Sequence, residues 1–298
     1  MELDRQVLDT YCPTGQREGF WFLVLLLILL KEAGPTAACS SSCSSYCECG
    51  YKGLSSGPQY LPTTITVLYL YHNAITTFNQ SDFSRYSSLT ELYLNYNQIS
   101  TISSGAFYNL TRLNLLRLFN NQLTSLRSGM FLGLDSLIRL DLYFNNIHSI
   151  EAGAFNSTPQ LRILQLSENK LTRLDLLPDT FVGLDNLQSL YLYLNRIHGI
   201  EAGTFNATPQ LRGLGLQNNN ISSIAAGAFV NLYQLQTLNL VYNKITSLRS
   251  EMFVGLDNLQ NLYLEYNNIH SIESGTFSAT PQLQRLSLYN NKLTILRS

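Results

Sequence analysis

The sequence predicts an α/β-type solenoid, a horseshoe with a parallel β-sheet on its concave face and irregular or short helical segments on its convex face. Three observations carry this reading. An asparagine recurs at Asn73, Asn97, Asn121, Asn145, Asn169, Asn195, Asn219, Asn243, Asn267 and Asn291, stepping by 24 residues except for one step of 26 after Asn169. Each closes the same stretch, Leu-x-x-Leu-x-Leu-x-x-Asn, as in Leu89-Thr-Glu-Leu92-Tyr-Leu94-Asn-Tyr-Asn97. A phenylalanine keeps the same step: Phe83, Phe107, Phe131, Phe155, Phe181, Phe205, Phe229, Phe253 and Phe277. A fixed period in this range marks stacked supersecondary units that share one core.

Within each unit, Leu-x-Leu alternates apolar and polar residues, the period of a half-buried strand. Leu92 and Leu94 should face inward, and Tyr93 and Asn95 outward. One such strand cannot bury its inner face alone, so neighbours must stack on it. Ten strands at ~4.8 Å spacing span on the order of 45 Å. The chain returns on the convex side through residues such as Ile99, Ile102 and Phe107. The asparagine column reads as structure, because an amide both donates and accepts and so can stitch one coil to the next. The phenylalanine column reads as core. The two extra residues fall within Arg173-Leu-Asp-Leu-Leu-Pro-Asp-Thr180 and should bulge on the return side, leaving the sheet in register.

The repeated stretch resembles the leucine-rich repeat. Ahead of it, Phe20 to Leu30 is an unbroken apolar run of 11 residues, short for a membrane span of ~20 residues and suited to a signal peptide. Gly34-Pro-Thr-Ala-Ala38 follows and permits cleavage before Cys39. The segment before the run is unusual for a leader: it carries Glu2, Asp4, Asp9 and Glu18 against Arg5 and Arg17. An uncleaved signal-anchor is the competing reading. The sequence therefore divides into a leader (1–38), a cysteine-rich N-terminal cap (39–64) and ten repeats (65–298) with no C-terminal cap. Secretion or display on the extracellular cell surface is expected.

Cys12 precedes the apolar run; the remaining cysteines cluster as Cys39, Cys43, Cys47 and Cys49. An even set after a signal peptide implies two disulfides, with three pairings open; zinc is the competing use of four thiolates. This cluster, followed by Gly50-Tyr-Lys-Gly-Leu54, Pro58-Gln-Tyr-Leu-Pro62 and Val67-Leu-Tyr-Leu70-Tyr-His-Asn73, is similar to the N-terminal cap of the variable lymphocyte receptors of jawless vertebrates and their relatives. The resemblance implies pairing of first to third and second to fourth cysteines, Cys39–Cys47 and Cys43–Cys49. It also implies a second cysteine-rich cap, which the sequence does not contain. The open edge at Leu286, Leu288, Leu293 and Leu296 then invites self-association or marks a truncated, non-functional copy.

The net charge of −1 with 13% charged residues gives no electrostatic case for nucleic acid. No Ser/His/Asp set, nucleophile elbow or phosphate loop appears, so no enzyme, catalytic residue or cofactor is expected. His148, His198 and His270 occupy one equivalent position in coils at least two steps apart, too distant to share a metal ion. Sequons for N-glycosylation occur at Asn79, Asn109, Asn156, Asn206 and Asn220; the first four lie in return segments, whereas Asn220 follows a ladder asparagine.

Function is expected on the exposed face of the sheet. There the residue between the paired leucines runs Tyr69, Tyr93, Arg117, Asp141, Gln165, Tyr191, Gly215, Asn239, Tyr263, Ser287. Two residues on come Tyr71, Asn95, Phe119, Tyr143, Ser167, Tyr193, Gln217, Val241, Glu265, Tyr289, and then His72, Tyr96, Asn120, Phe144, Glu168, Leu194, Asn218, Tyr242, Tyr266, Asn290. These three columns vary from coil to coil while the framework repeats, and they hold 11 of the 18 tyrosines. Tyrosine offers large amphipathic contact area with few rotatable bonds to freeze, which is why paratopes favour it. The variation predicts a non-enzymatic recognition protein binding a protein or glycan ligand there. Tyr69, Tyr93, Tyr191, Tyr193 and Tyr263 would act as anchors, with Arg117, Asp141 and Glu168 tuning specificity. The alternative is a matrix or adhesion protein with a fixed partner, similar to the small leucine-rich proteoglycans.

Overall fold

A computed structural model describes residue 39 and residues 43–172 and 179–296, and Cys39–Ser298 forms one compact unit. The expected leader, at residues 1–38, lies outside the described residues, as do most of the residues around the two-residue insertion (173–178).

The concave face is an eleven-stranded parallel sheet, with strands of three residues running from Tyr46–Glu48 to Arg285–Ser287 in chain order. Ten strands are the repeated Leu-x-Leu units; the eleventh comes from the cap. Tyr46–Glu48 pairs with Val67–Tyr69, placing Cys47 opposite Leu68, so the cap adds a strand to the first coil as well as covering it. Each of the other pairings in this sheet sets leucine against leucine. Across the long coil, Leu164 still pairs with Leu190, so the insertion leaves the sheet in register. A slip of one residue would turn every leucine to solvent, which is why the register holds.

The convex side is irregular with short helix, as expected, and adds short strand pairs. Helix is limited to one turn among the described residues, Gln80–Phe83, capped by Asn79, whose side chain accepts from Ser81 N. The return segments instead form short parallel strand pairs, such as Thr77–Phe78 with Thr101–Ile102 and Ser125–Leu126 with Ser149–Ile150. A coil of 24 residues closes after these short strands and turns, leaving little length for a helix.

The asparagine ladder is buried and satisfied. Asn169 Nδ2 donates to Leu142 O in the preceding coil (3.0 Å) and to Leu166 O and Ser167 O in its own (3.2 and 3.1 Å), while Oδ1 accepts from Ile147 N (2.9 Å). One side chain thus closes its own turn and ties it to the coil before. Asn73 does the same for the cap, donating to Cys49 O and accepting from the Lys52 and Leu54 amides. The phenylalanines, fully buried but for Phe277, form a spine with near-parallel rings, as in Phe181–Phe205, centroids 6.0 Å apart at 10°.

The cap cysteines pair as Cys39–Cys49 and Cys43–Cys47, not as the resemblance implies. The reason is spacing. All four lie within 11 residues, so no long loop precedes the last one, and the short loop nests inside the long one. Cys47 and Cys49 alternate inward from the cap strand and join the core.

Candidate functional site

The pleat sends alternate side chains outward, and the three varied columns line the concave face from the cap to the last coil. They are not uniform. Toward the N-terminus, rings stack from coil to coil: Tyr51 on His72 (4.4 Å, 10°), His72 on Tyr96 (4.2 Å, 6°), Tyr96 edge-on to Phe119 (5.5 Å), Phe119 on Tyr143 (4.4 Å, 7°). Tyr69 and Tyr93 adjoin this run with centroids 4.6 Å apart. Toward the C-terminus lies a second cluster, Tyr242 stacked on Tyr266 (4.2 Å, 14°) with Tyr289 against its edge. Between them stand Tyr191 and Tyr193 among small and amide side chains.

The ion pairs among the described residues form one cluster on this face. Arg139 Nε donates to both Asp141 oxygens (2.9 and 3.1 Å), and Arg117 Nε sits 3.5 Å from Oδ2. Arg117 also lies over the Tyr93 ring, 5.0 Å from its centroid, and Tyr93 donates to Glu91 Oε2 (2.6 Å). Burial, the Glu91 hydrogen bond and the Glu91 charge push the Tyr93 hydroxyl up to about 12. Burial raises Asp141 despite the two guanidinium groups, and burial raises Glu168.

Of the fifteen expected contact residues, Tyr96, Tyr242, Tyr266 and Tyr289 are exposed. Tyr69, Tyr71, Tyr93, Arg117, Tyr143, Glu168, Tyr191, Tyr193 and Tyr263 are half-buried. Two are covered. Asp141 is 1% exposed beneath its arginines, and Phe119 lies between Tyr96 and Tyr143. Asp141 is therefore not an open carboxylate; it orients Arg117 and Arg139. Tyr51, 70% exposed and stacked on His72, belongs to the face but precedes the first repeat, so the periodicity does not reach it. Phe144 and Leu194 are also exposed here.

A backbone feature singles out the third column. All ten of its residues, from His72 to Asn290, adopt φ between 53° and 56°, the left-handed region. Bulky L-residues avoid this region, while Gly, Asn and, to a degree, His tolerate it. His72, Asn120, Asn218 and Asn290 are of the tolerant types; the other six coils hold Tyr, Phe, Glu or Leu. A second feature concerns hydrogen bonding. Among the described residues, the buried side-chain polar atoms without a hydrogen-bond partner are Asn95 Oδ1, Arg117 Nε, Gln165 Oε1, Ser167 Oγ, Gln217 Oε1 and Glu265 Oε2. All belong to the exposed columns, whereas the ladder in the core is satisfied.

Away from this face, His148, His198 and His270 are exposed, and among the described residues no group of three His, Cys, Asp or Glu side chains is placed to hold a metal ion. The sequon asparagines Asn79, Asn109, Asn156 and Asn206 are exposed on the return side; Asn220 is half-buried beside the ladder. Among the described residues, no helix is long and apolar enough to cross a membrane.

A family model described as Leucine rich repeat matches residues 63–123, 112–171, 159–221, 209–269 and 257–298. Human Toll-like receptor 3 is 39% identical over 70 residues, 24% of this chain. Human Leucine-rich repeats and immunoglobulin-like domains protein 1 is 33% identical over 89 residues, 27% of this chain. The chain spans only 8% of the length of either relative. Among solved structures, a chain of the TLR13–ssRNA13 complex is similar with TM-score 0.73 and 30% identity over 83% of this chain and 35% of that one. The Drosophila Toll–Spatzle complex is similar with TM-score 0.73 and 25% identity over 83% and 38%. An octameric complex of Latrophilin 3, Unc5D and FLRT2 is similar with TM-score 0.66 and 25% identity over 84% and 82%. The two human relatives are a Toll-like receptor and a protein with immunoglobulin-like domains; neither is a variable lymphocyte receptor. One of the solved structures is of a complex with an RNA, so the fold does not exclude nucleic acid, and near-neutral charge alone does not either: bases stack on aromatic rings.

Proposed function

This chain belongs to the leucine-rich-repeat family, and on that premise we propose that it is a non-enzymatic recognition protein that binds a macromolecule on its concave sheet, in the manner of an immune-type receptor. The observation that carries the reading is the third column. Stability alone would fill a left-handed position with Asn or Gly, yet six of ten coils place Tyr, Phe, Glu or Leu there, at a cost on the order of 1 kcal/mol each. Something other than the fold holds those side chains. They face outward beside the stacked tyrosines, where a partner would meet them.

The likeness to Toll-like receptors and to the Toll–Spatzle complex supports the immune-type form, and the two disulfides suit an extracellular setting. The variable-lymphocyte-receptor likeness is a finer version of the same proposal. The second reading is adhesion to one fixed partner; the likeness to a chain of the Latrophilin 3, Unc5D and FLRT2 complex favours it, since 82% of that chain is covered. Sequencing this gene from several individuals separates the two. Differences confined to the three columns support diversified recognition. An invariant concave face overturns it in favour of a fixed partner.

A further inference from the structure

Two carboxylates are buried on the concave face, and the fold treats them differently. Asp141 is 1% exposed, and its charge is met twice, by Arg139 Nε at 2.9 Å and by Arg117 Nε at 3.5 Å. Glu265 is 8% exposed, and among the described residues no cation pairs with it. Its Oε2 is shut off from water and accepts no hydrogen bond. Oε1 accepts none either among the described residues, yet it is not one of the shut-off atoms, so it is the oxygen that opens to the concavity. A buried carboxylate without a counter-charge is costly, and folded chains normally pair such groups.

The surroundings of Glu265 are aromatic. Tyr289 stands beside it in the next coil, two residues past the paired Tyr263 and Ser287. Tyr266 follows it in the chain, with Tyr242 stacked on that ring at 4.2 Å. From Gly215 to Asn290 the three columns hold no other charged side chain. Arg285, on the edge strand, is engaged elsewhere, donating to the Tyr263 hydroxyl at 3.3 Å. Aromatic faces attract cations through the ring quadrupole. The same molecule holds a completed version of this arrangement nearer its N-terminus. There the Arg117 guanidinium lies 5.0 Å from the Tyr93 centroid and its Nε 3.5 Å from Asp141 Oδ2, so one cation serves ring and carboxylate together. Glu265 has the carboxylate and the rings, and among the described residues no cation of its own.

We propose that Glu265 and the tyrosines around it form a subsite for a cationic side chain, lysine or arginine, presented by a protein partner. The proposal rests on the concave-face reading and names the chemistry of its ligand. The cation meets Glu265 Oε1 and lies against the Tyr266 and Tyr289 rings, in the place that Arg117 fills for Asp141. An arginine from a neighbouring coil would close the site; a charge left open is kept for a partner. The same charge disfavours a phosphate backbone at this end of the face, since like charges brought together are costly.

The test pans the full chain against a phage-displayed library of random peptides and measures the selected peptides as free synthetic ligands. They are expected to share a lysine or an arginine. Replacing that residue with glutamine, and Glu265→Gln on the chain, should each weaken binding at least tenfold, and the two together no more than either alone, which marks a direct pair. Tyr289→Ala, at an exposed ring, should weaken the same peptides. Free of ligand, Glu265→Gln should melt at the same or a higher temperature, because it removes an unmet charge. A lower melting temperature would make Glu265 framework and overturn the proposal. So would a library without binders, binders without a basic residue, or binding that Glu265→Gln leaves unchanged. In the last two cases, loss of binding on Tyr96→Ala or Tyr191→Ala preserves the concave-face reading, and retention through both overturns that reading as well.

Discussion

Two columns of rings run the length of this solenoid, and they have different tasks. The phenylalanine spine uses one residue in every described coil that has it, fully buried but for Phe277, with rings close to parallel. The concave face uses Tyr, Phe, His, and in places no ring at all, with geometry that changes from stacked to edge-on within a few coils. Repetition is the mark of a residue that serves its neighbours in the chain. Variation at equivalent positions, held against a backbone preference, is the mark of one that serves something outside it.

The sharpest way to break this comparison is at the spine. Phe181→Ala removes a fully buried ring between Phe155 and Phe205 and should cost about 3–5 kcal/mol of stability, measured by denaturant unfolding. Asn169→Ala comes next: it unpairs the Ile147 amide, takes one donor from each of three carbonyls and should cost about 1–3 kcal/mol. Tyr191→Ala with Tyr193→Ala should abolish ligand binding yet shift unfolding by under about 1 kcal/mol; a loss comparable to Phe181→Ala would make these rings framework. Leu194→Asn, relieving the left-handed position, should raise stability by up to about 1 kcal/mol.

The smallest effect is at alkaline pH. Tyr93 titrates at about 12 in the folded chain against 10.0 as its ordinary value. The folded state thus holds that proton longer, and the resulting stability is complete below pH 10 and lost as pH rises through about 12. Tyr93→Phe should flatten that limb of the stability curve; an unchanged curve would mean that burial and the Glu91 bond do not raise the Tyr93 hydroxyl.

The sequence made the framework readable because each framework column repeats: leucines fix the strand, asparagines the turn, phenylalanines the spine. Where one residue's environment depends on a particular neighbour, the pattern could not reach. Asp141 reads as an outward carboxylate by position, and only the arginines of its own and the preceding coil bury it. Phe119 is hidden by rings from the coils on either side. The cap's cysteine pairing depends on a loop length peculiar to this chain. The left-handed column leaves only a faint trace, the three asparagines at Asn120, Asn218 and Asn290. Tyr51 lies one coil ahead of the repeat, where no period points to it.

The central claim is that the aromatic face is free of the fold while the spine is not. A saturation scan of the whole chain, displayed on cells and sorted only for folded surface expression, tests it without knowing the ligand. The leucine, asparagine and phenylalanine columns should tolerate almost no change. The three concave columns should accept most substitutions, with Asn and Gly enriched at the left-handed positions. If the concave tyrosines prove as intolerant as Phe181 and Asn169, they are framework, and the recognition surface assigned here is contradicted.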